Sequence, residues 1–122
     1  MDNIDLERAK RLLQSAEYLV EKGDLAGAGG LAYQAFESAI IAVTRMEGQK
    51  DYPDHSQRRK KAEELLKVSQ DKVKKLWAIR NVDFYGNEKV GEASREVKKE
   101  EIDDSVQEVR KIIKAIEEKE ST

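Results

Sequence analysis

The sequence predicts an all-α fold, an up-and-down bundle of four or five helices. Its 122 residues include a single proline, and Glu, Lys, Leu and Ala, which favour helices, are abundant. Apolar residues recur at three- and four-residue spacings, and no run alternates between apolar and polar residues as a half-buried strand would. A chain of this length suits one modest core, so residues 1–122 are predicted to form a single helical domain.

The first helix is predicted to run from a cap at Asp2 or Asn3 to about Lys22. Gly23 follows it, and glycine commonly ends helices because it adopts a left-handed backbone without strain. The short connection to the next helix predicts an antiparallel hairpin. The inward stripe of the first helix is predicted to contain Leu6, Ala9, Leu12, Leu13, Ala16, Leu19 and Val20.

The second helix is predicted to run from Leu25 to about Met46, with Asp24 as its cap. Each glycine inside a helix costs about 1 kcal/mol relative to alanine, so some other feature should offset that cost here. A phosphate-binding loop would need a preceding strand and a following Lys-Ser or Lys-Thr, and neither is present. Close approach of another helix or of a second subunit is therefore favoured as the reason for Gly27, Gly29 and Gly30.

Further helices are predicted in the second half of the chain. The third runs from His55 to about Val68, and a polar linker extends from Asn87 to Ala93. The last helix runs from Ser94 or Lys98 to about Lys119, with its isoleucines and valines on one face. Basic residues predominate from Arg58 to Arg80, a block that either forms a solvated helix face or steers a polyanion towards Arg80.

The fourth helix is predicted to end at Gly86, and it carries Trp77, Arg80 and Phe84 on one face. A guanidinium within an apolar stripe must be paired, hydrated or used for binding, because burying it alone is too costly. The simpler interpretation is an arginine whose stem packs while its head reaches water at the helix end. The binding interpretation adds the polar side chains that surround it, which are Asn81, Asp83 and Tyr85.

Composition excludes several classes of function. The net charge is only −2, so it does not itself indicate a nucleic-acid partner. Without cysteine there can be no disulfide and no thiolate site, and the single histidine, His55, makes a zinc site unfavourable, so no metal or cofactor is expected. No apolar run reaches the roughly 18 residues of a membrane span, and the acidic N-terminus is unlike a signal peptide. We therefore expect a cytoplasmic protein without a membrane partner.

Taken together, the order of these segments resembles a HEPN domain, the small helical module of prokaryotic toxin-antitoxin pairs and of larger RNA-cutting proteins. The resemblance covers nearly the whole chain and depends on the order of short motifs. These are Gly23-Asp24-Leu25-Ala26, the segment from Tyr33 to Ile40, His55, Arg80-Asn81 and Tyr85-Gly86.

The resemblance implies a homodimer in which Arg-Asn motifs of two subunits meet in a cleft. It assigns Arg80 and Asn81 to that motif and Glu37 to the polar position on the second helix. Ribonuclease members carry a histidine four to six residues after the arginine, and here Tyr85 takes that place. An ordinary tyrosine, with a pKa near 10, is only about one part in a thousand ionised at pH 7, so it is a poor general base.

Three functional hypotheses follow. The first is a HEPN-like homodimer that binds nucleotide or RNA through Arg80, Asn81, Tyr85, Glu37 and Asp83, paired with a nucleotidyltransferase. The second is a metal-independent ribonuclease in which Tyr85 or His55 carries the chemistry. The third is a structural or adaptor helical dimer without a ligand, in which Arg80 pairs with Glu37 or Asp83, and Glu37 serves only as a cross-bundle ion-pair partner.

Overall fold

Three helices pack around one hydrophobic core in the part of the chain that the structure describes. They are α1 (Ile4–Glu21), α2 (Leu25–Met46) and α3 (Lys99–Ser121). Two short antiparallel strands, β1 (Lys89–Val90) and β2 (Ala93–Ser94), precede α3. The computed structural model describes residues 3–46, 60, 64, 75, 89–90, 93–94 and 98–121.

Local hydrogen bonds fix both ends of α1, close to the predicted positions. The Oδ1 atom of Asn3 accepts a hydrogen bond from the backbone N–H of Leu6 (3.1 Å), which makes Asn3 the N-cap. At the other end Gly23 has a φ of +82°, and its N–H donates to the carbonyl of Val20 (3.1 Å). The N–H of Asp24 donates to the carbonyl of Leu19 (2.9 Å), and this pair of bonds satisfies carbonyls that the helix end leaves without partners.

The second helix is the centre of the described bundle. Of its 22 residues only Arg45 is exposed, because α1 and α3 both pack against α2. Tyr33 and Phe36 are fully buried, with ring centroids 5.6 Å apart and ring planes tilted by 49°. Tyr33 therefore belongs to the core. Around them lie small alanines and the isoleucines and valines of α3, which are Ile102, Val106, Val109, Ile112, Ile113 and Ile116.

Two ion pairs give the direction of α3 relative to α1. Lys10 Nζ lies 2.9 Å from Glu117 Oε2, and Arg110 Nη2 lies 2.8 Å from Glu17 Oε1. Positions that rise along α1 therefore meet positions that fall along α3, so the two helices are antiparallel. The hydrogen bond to Glu117, opposed in part by desolvation, raises the pKa of Lys10 above its usual 10.5. Because the hairpin makes α1 and α2 antiparallel, α2 and α3 run in the same direction.

That direction can be compared with the predicted up-and-down topology. In a strictly alternating bundle of five helices the last helix would run parallel to the first, whereas α3 runs antiparallel to α1 as the last of four would. The predicted third and fourth helices lie outside the described residues except for Lys60, Glu64 and Lys75, each of which is helical. A helical bundle is supported, and its total number of helices stays a prediction.

The segment before α3 also differs from the prediction. Lys89 pairs with Ser94 and Val90 pairs with Ala93, within what the sequence predicts to be a linker. Ser94 is thus a strand residue, and the proposed helix start there is wrong. The carbonyl of Lys98 accepts the first hydrogen bond of the helix, from Ile102 N–H (3.3 Å), so the Lys98 alternative is confirmed. No helix among the described residues is long and apolar enough to cross a membrane.

Candidate functional site

Glu37 is the member of the predicted binding set that the structure describes. The rest of that set lies outside the described residues and consists of Arg80, Asn81, Asp83 and Tyr85. His55 also lies outside the described residues. The structure therefore gives the setting of one acidic side chain and leaves the assembly of the set a prediction.

The carboxylate of Glu37 occupies an unusual place in α2. Glu37 and Arg45 are the only charged residues among the 22 of this helix, and Glu37 is half-buried between the buried Phe36 and Ser38. A carboxylate at such a position loses part of its hydration, so it must be compensated by polar or charged neighbours. Tyr33, one turn earlier, lies in the core and does not form a ligand platform.

A second charged group, formed by Asp5, Arg8 and Arg45, links the start of α1 to the end of α2. The side chain of Asp5 is only 6% exposed, and its two oxygens meet two guanidiniums. Arg8 Nη1 lies 3.2 Å from Oδ1, and Arg45 Nη1 lies 2.5 Å from Oδ2. One buried carboxylate thus serves two guanidiniums, one from its own helix and one from α2.

An open surface depression of about 450 Å³ lies between α1 and α2, towards the turn that connects the two helices. Tyr18 is the most prominent of its walls, since this aromatic side chain is 57% exposed. The ammonium of Lys22 lies 5.5 Å from the centroid of the Tyr18 ring, within the range of a cation–π contact. The lining residues are Arg11, Gln14, Ser15, Tyr18, Leu19 and Leu31.

This depression is part of a longer surface that the sequence analysis missed. We call it the α1 basic stripe. Its members recur at three- and four-residue spacings along the solvent side of α1 and are all exposed. The same spacing is visible in the sequence when cations and aromatic residues, and not only core residues, are placed on the helix. The stripe consists of Ile4, Arg8, Arg11, Ser15, Tyr18 and the C-cap Lys22.

Comparison with protein families places the chain. The model of the archaeal PaREP1/PaREP8 family matches residues 4–120. The chain belongs to this family. The match to the PaREP1/PaREP8 model begins with α1 and ends within the last turn of α3, so it spans every element described above. No curated protein and no solved structure matches the chain.

The described residues of this PaREP1/PaREP8 protein contain no cluster of three or more His, Cys, Asp or Glu side chains that could hold a metal ion. They do present exposed cations, an exposed phenol ring and a half-buried carboxylate.

Proposed function

We propose that this PaREP1/PaREP8 protein is a HEPN-like homodimer that binds nucleotide or RNA and acts with a nucleotidyltransferase partner. In this proposal Arg80 grips phosphate, while Asn81 and Tyr85 hydrogen-bond to a base or ribose. Asp83 and Glu37 hold the guanidinium of Arg80 in place. Tyr85 in the place of the motif histidine makes binding the favoured activity over cleavage.

The observation that carries the proposal is the position of Glu37. The HEPN resemblance expects a polar or acidic side chain on the second helix, and Glu37 is the only acidic residue of α2. Its half-buried place in a largely apolar helix is costly unless a cationic or polar group contacts it. An arginine motif such as Arg80-Asn81 would supply that group, which links the acidic residue to a site.

Thermal unfolding with nucleotides and a short RNA, in EDTA, tests the proposal. A ligand that binds only the folded state, at about 100 times its dissociation constant, should add roughly 2.7 kcal/mol of stability and raise the melting temperature by several degrees. We expect Arg80→Ala to remove this shift and Glu37→Gln to reduce it. Lys114→Ala, at an exposed position on α3, is the matched control and should keep it.

The same samples separate the proposal from its alternatives. RNA recovered from the incubation is run on a gel, and fragments that disappear with Tyr85→Phe or His55→Ala would identify a ribonuclease. A ligand shift that survives Arg80→Ala would contradict the site assignment. No shift with any ligand would favour an adaptor dimer, and sedimentation of the unliganded protein then decides whether it is dimeric at all.

A further inference from the structure

The α1 basic stripe places three cations along one side of α1 with an aromatic ring among them. Arg8, Arg11 and Lys22 span about 21 Å at the rise of an α-helix, and Tyr18 lies between the last two. Among the residues that the structure describes, the exposed large hydrophobic side chains are Ile4 and Tyr18, and both belong to the stripe. An exposed aromatic ring flanked by cations indicates a binding surface more specifically than a solvated lysine face does.

The stripe itself contains three cations and no acidic residue. Of the acidic residues of α1, Glu17 pairs with Arg110, Glu7 approaches Lys10 (3.5 Å), and Glu21 is exposed one turn after Glu17. Asp5 is buried and shared by two guanidiniums, as described above. A protein with a net charge of −2 thus carries three exposed cations in line along one side of α1.

The depression beside Tyr18 supplies the remaining chemistry. An unpaired base can stack on an exposed phenol ring, and Gln14 and Ser15 offer hydrogen-bonding groups beside it. The cation–π contact of Lys22 is weak at an exposed site, so its ammonium can move to a phosphate when a base arrives. Arg11 lines the same depression on the other side of the ring and suits the next phosphate.

We propose that the α1 basic stripe binds single-stranded RNA, with one base stacked on Tyr18 and the flanking phosphates held by Arg11 and Lys22. Stacking on the ring requires an unpaired base, which favours a single strand over a duplex. The inference does not depend on the proposed function, because none of its residues belongs to the set around Arg80.

Fluorescence anisotropy with a labelled single-stranded RNA of about 12 nucleotides tests the stacking contact. We expect Tyr18→Ala to raise the dissociation constant about tenfold, which corresponds to the loss of one base–aromatic stack. Tyr18→Phe keeps the ring and should stay within about twofold of the wild type. Circular dichroism of each variant checks that the helical bundle is retained, as expected for an exposed position.

The salt dependence of binding tests the phosphate contact. On single strands each lost phosphate contact should flatten the slope of log K against log salt by about 0.7, and we expect this for Arg11→Gln. Lys114→Gln removes the same charge from an exposed position on α3 and should leave the slope unchanged. Equal effects of Arg11→Gln and Lys114→Gln would overturn the proposal, because binding would then depend only on net charge.

Two further outcomes separate this proposal from the proposed function. If the wild type binds no single-stranded RNA, or if Tyr18→Ala binds as tightly as the wild type, the α1 basic stripe is not the site. If Arg80→Ala abolishes binding while the α1 variants have no effect, the function survives and this inference fails. If the α1 variants weaken binding and Arg80→Ala does not, the inference stands and the site around Arg80 is wrong.

Discussion

Asp5 holds the start of α1 against the end of α2 through a single carboxylate. Its partner Arg45 is 40 residues away in the sequence, so no local spacing could have predicted the contact. The position in the first turn of α1 is also favourable for a negative charge, since the helix dipole is positive there. Asp5 therefore combines a local role at the helix start with a long-range one.

We expect Asp5→Asn to lower the free energy of unfolding by about 1–2 kcal/mol. Hydrogen bonds to charged groups contribute roughly 1.5–3 kcal/mol. The lower end applies here because Arg8 and Arg45 are half exposed, at 50% and 56%, and can turn to water. Urea denaturation at neutral pH measures the change. Glu7→Gln is the matched control, because Glu7 lies in the same helical turn, is exposed and approaches Lys10 of its own helix.

The control is expected to lose about 0.5 kcal/mol, from the weaker dipole interaction and the exposed ion pair with Lys10 together. Equal losses for Asp5→Asn and Glu7→Gln would mean that the cross-helix pair with Arg45 adds nothing to stability. A loss above about 3 kcal/mol would mean that the guanidiniums cannot rehydrate after the substitution.

At the scale of the element, the start of α2 explains one of its glycines. Asp24 Oδ1 accepts a hydrogen bond from the backbone N–H of Gly27 (3.0 Å), which caps the helix. A Cβ atom at Gly27 would lie 2.5 Å from Asp24 Oδ2 and 3.0 Å from Leu19 Cδ1. The nearest group to Gly27 is therefore the cap of its own helix, followed by Leu19 of α1, and the close approach of another helix or a second subunit at Ala26, Ala28 and Gly30 stays a prediction.

A double-mutant cycle tests this explanation. Gly27→Ala alone should bring no gain in stability, because the helix propensity of alanine, about 1 kcal/mol, is offset by a displaced cap of similar value. In a background that carries Asp24→Ala, the same change should stabilise the protein by up to about 1 kcal/mol. Thermal unfolding of the four proteins gives the coupling energy. A coupling of zero would show that Leu19, and not the cap, limits the position.

The elements were predictable where their signals are local. Asn3, the N-cap, and Gly23, which follows the C-cap Lys22, predict both ends of α1 to within a residue or two of the observed ones. Capping depends only on neighbouring residues. The pairing of β1 with β2 was not predictable from periodicity, since strands of two residues are too short to show alternation. Ser94 resembles a helix cap in composition, and its pairing with Lys89 overrides that preference.

For the whole molecule, the sequence analysis predicted the core better than the surface. Core residues recur with the period of the helix that carries them, so the inward apolar face of α1 and the isoleucines of α3 could be predicted from the sequence. Contacts such as Asp5 with Arg45 depend on how helices are placed relative to one another, which no single helix encodes. The set around Arg80 is of this second kind, and of that set the described residues include only Glu37.

The shared direction of α2 and α3 is the property of the whole molecule that a distance measurement can test most directly. The chain contains no cysteine, so pairs of introduced cysteines can be spin-labelled without background. Lys22 marks the end of α1, while Glu100 and Glu120 mark the two ends of α3, and all three are exposed. Because α3 is antiparallel to α1, residue 22 should be near residue 100 and far from residue 120.

With about 1.5 Å of rise per residue, α3 separates positions 100 and 120 by about 30 Å. We expect double electron–electron resonance to give a distance for the 22–100 pair that is shorter than that for the 22–120 pair by on the order of 10 Å, because the two ion pairs place residue 22 opposite about residue 105. Dilution with unlabelled protein removes distances between subunits of a dimer. The reverse order of distances would mean that α3 runs parallel to α1, as in five alternating helices, and that Lys10–Glu117 and Arg110–Glu17 do not form.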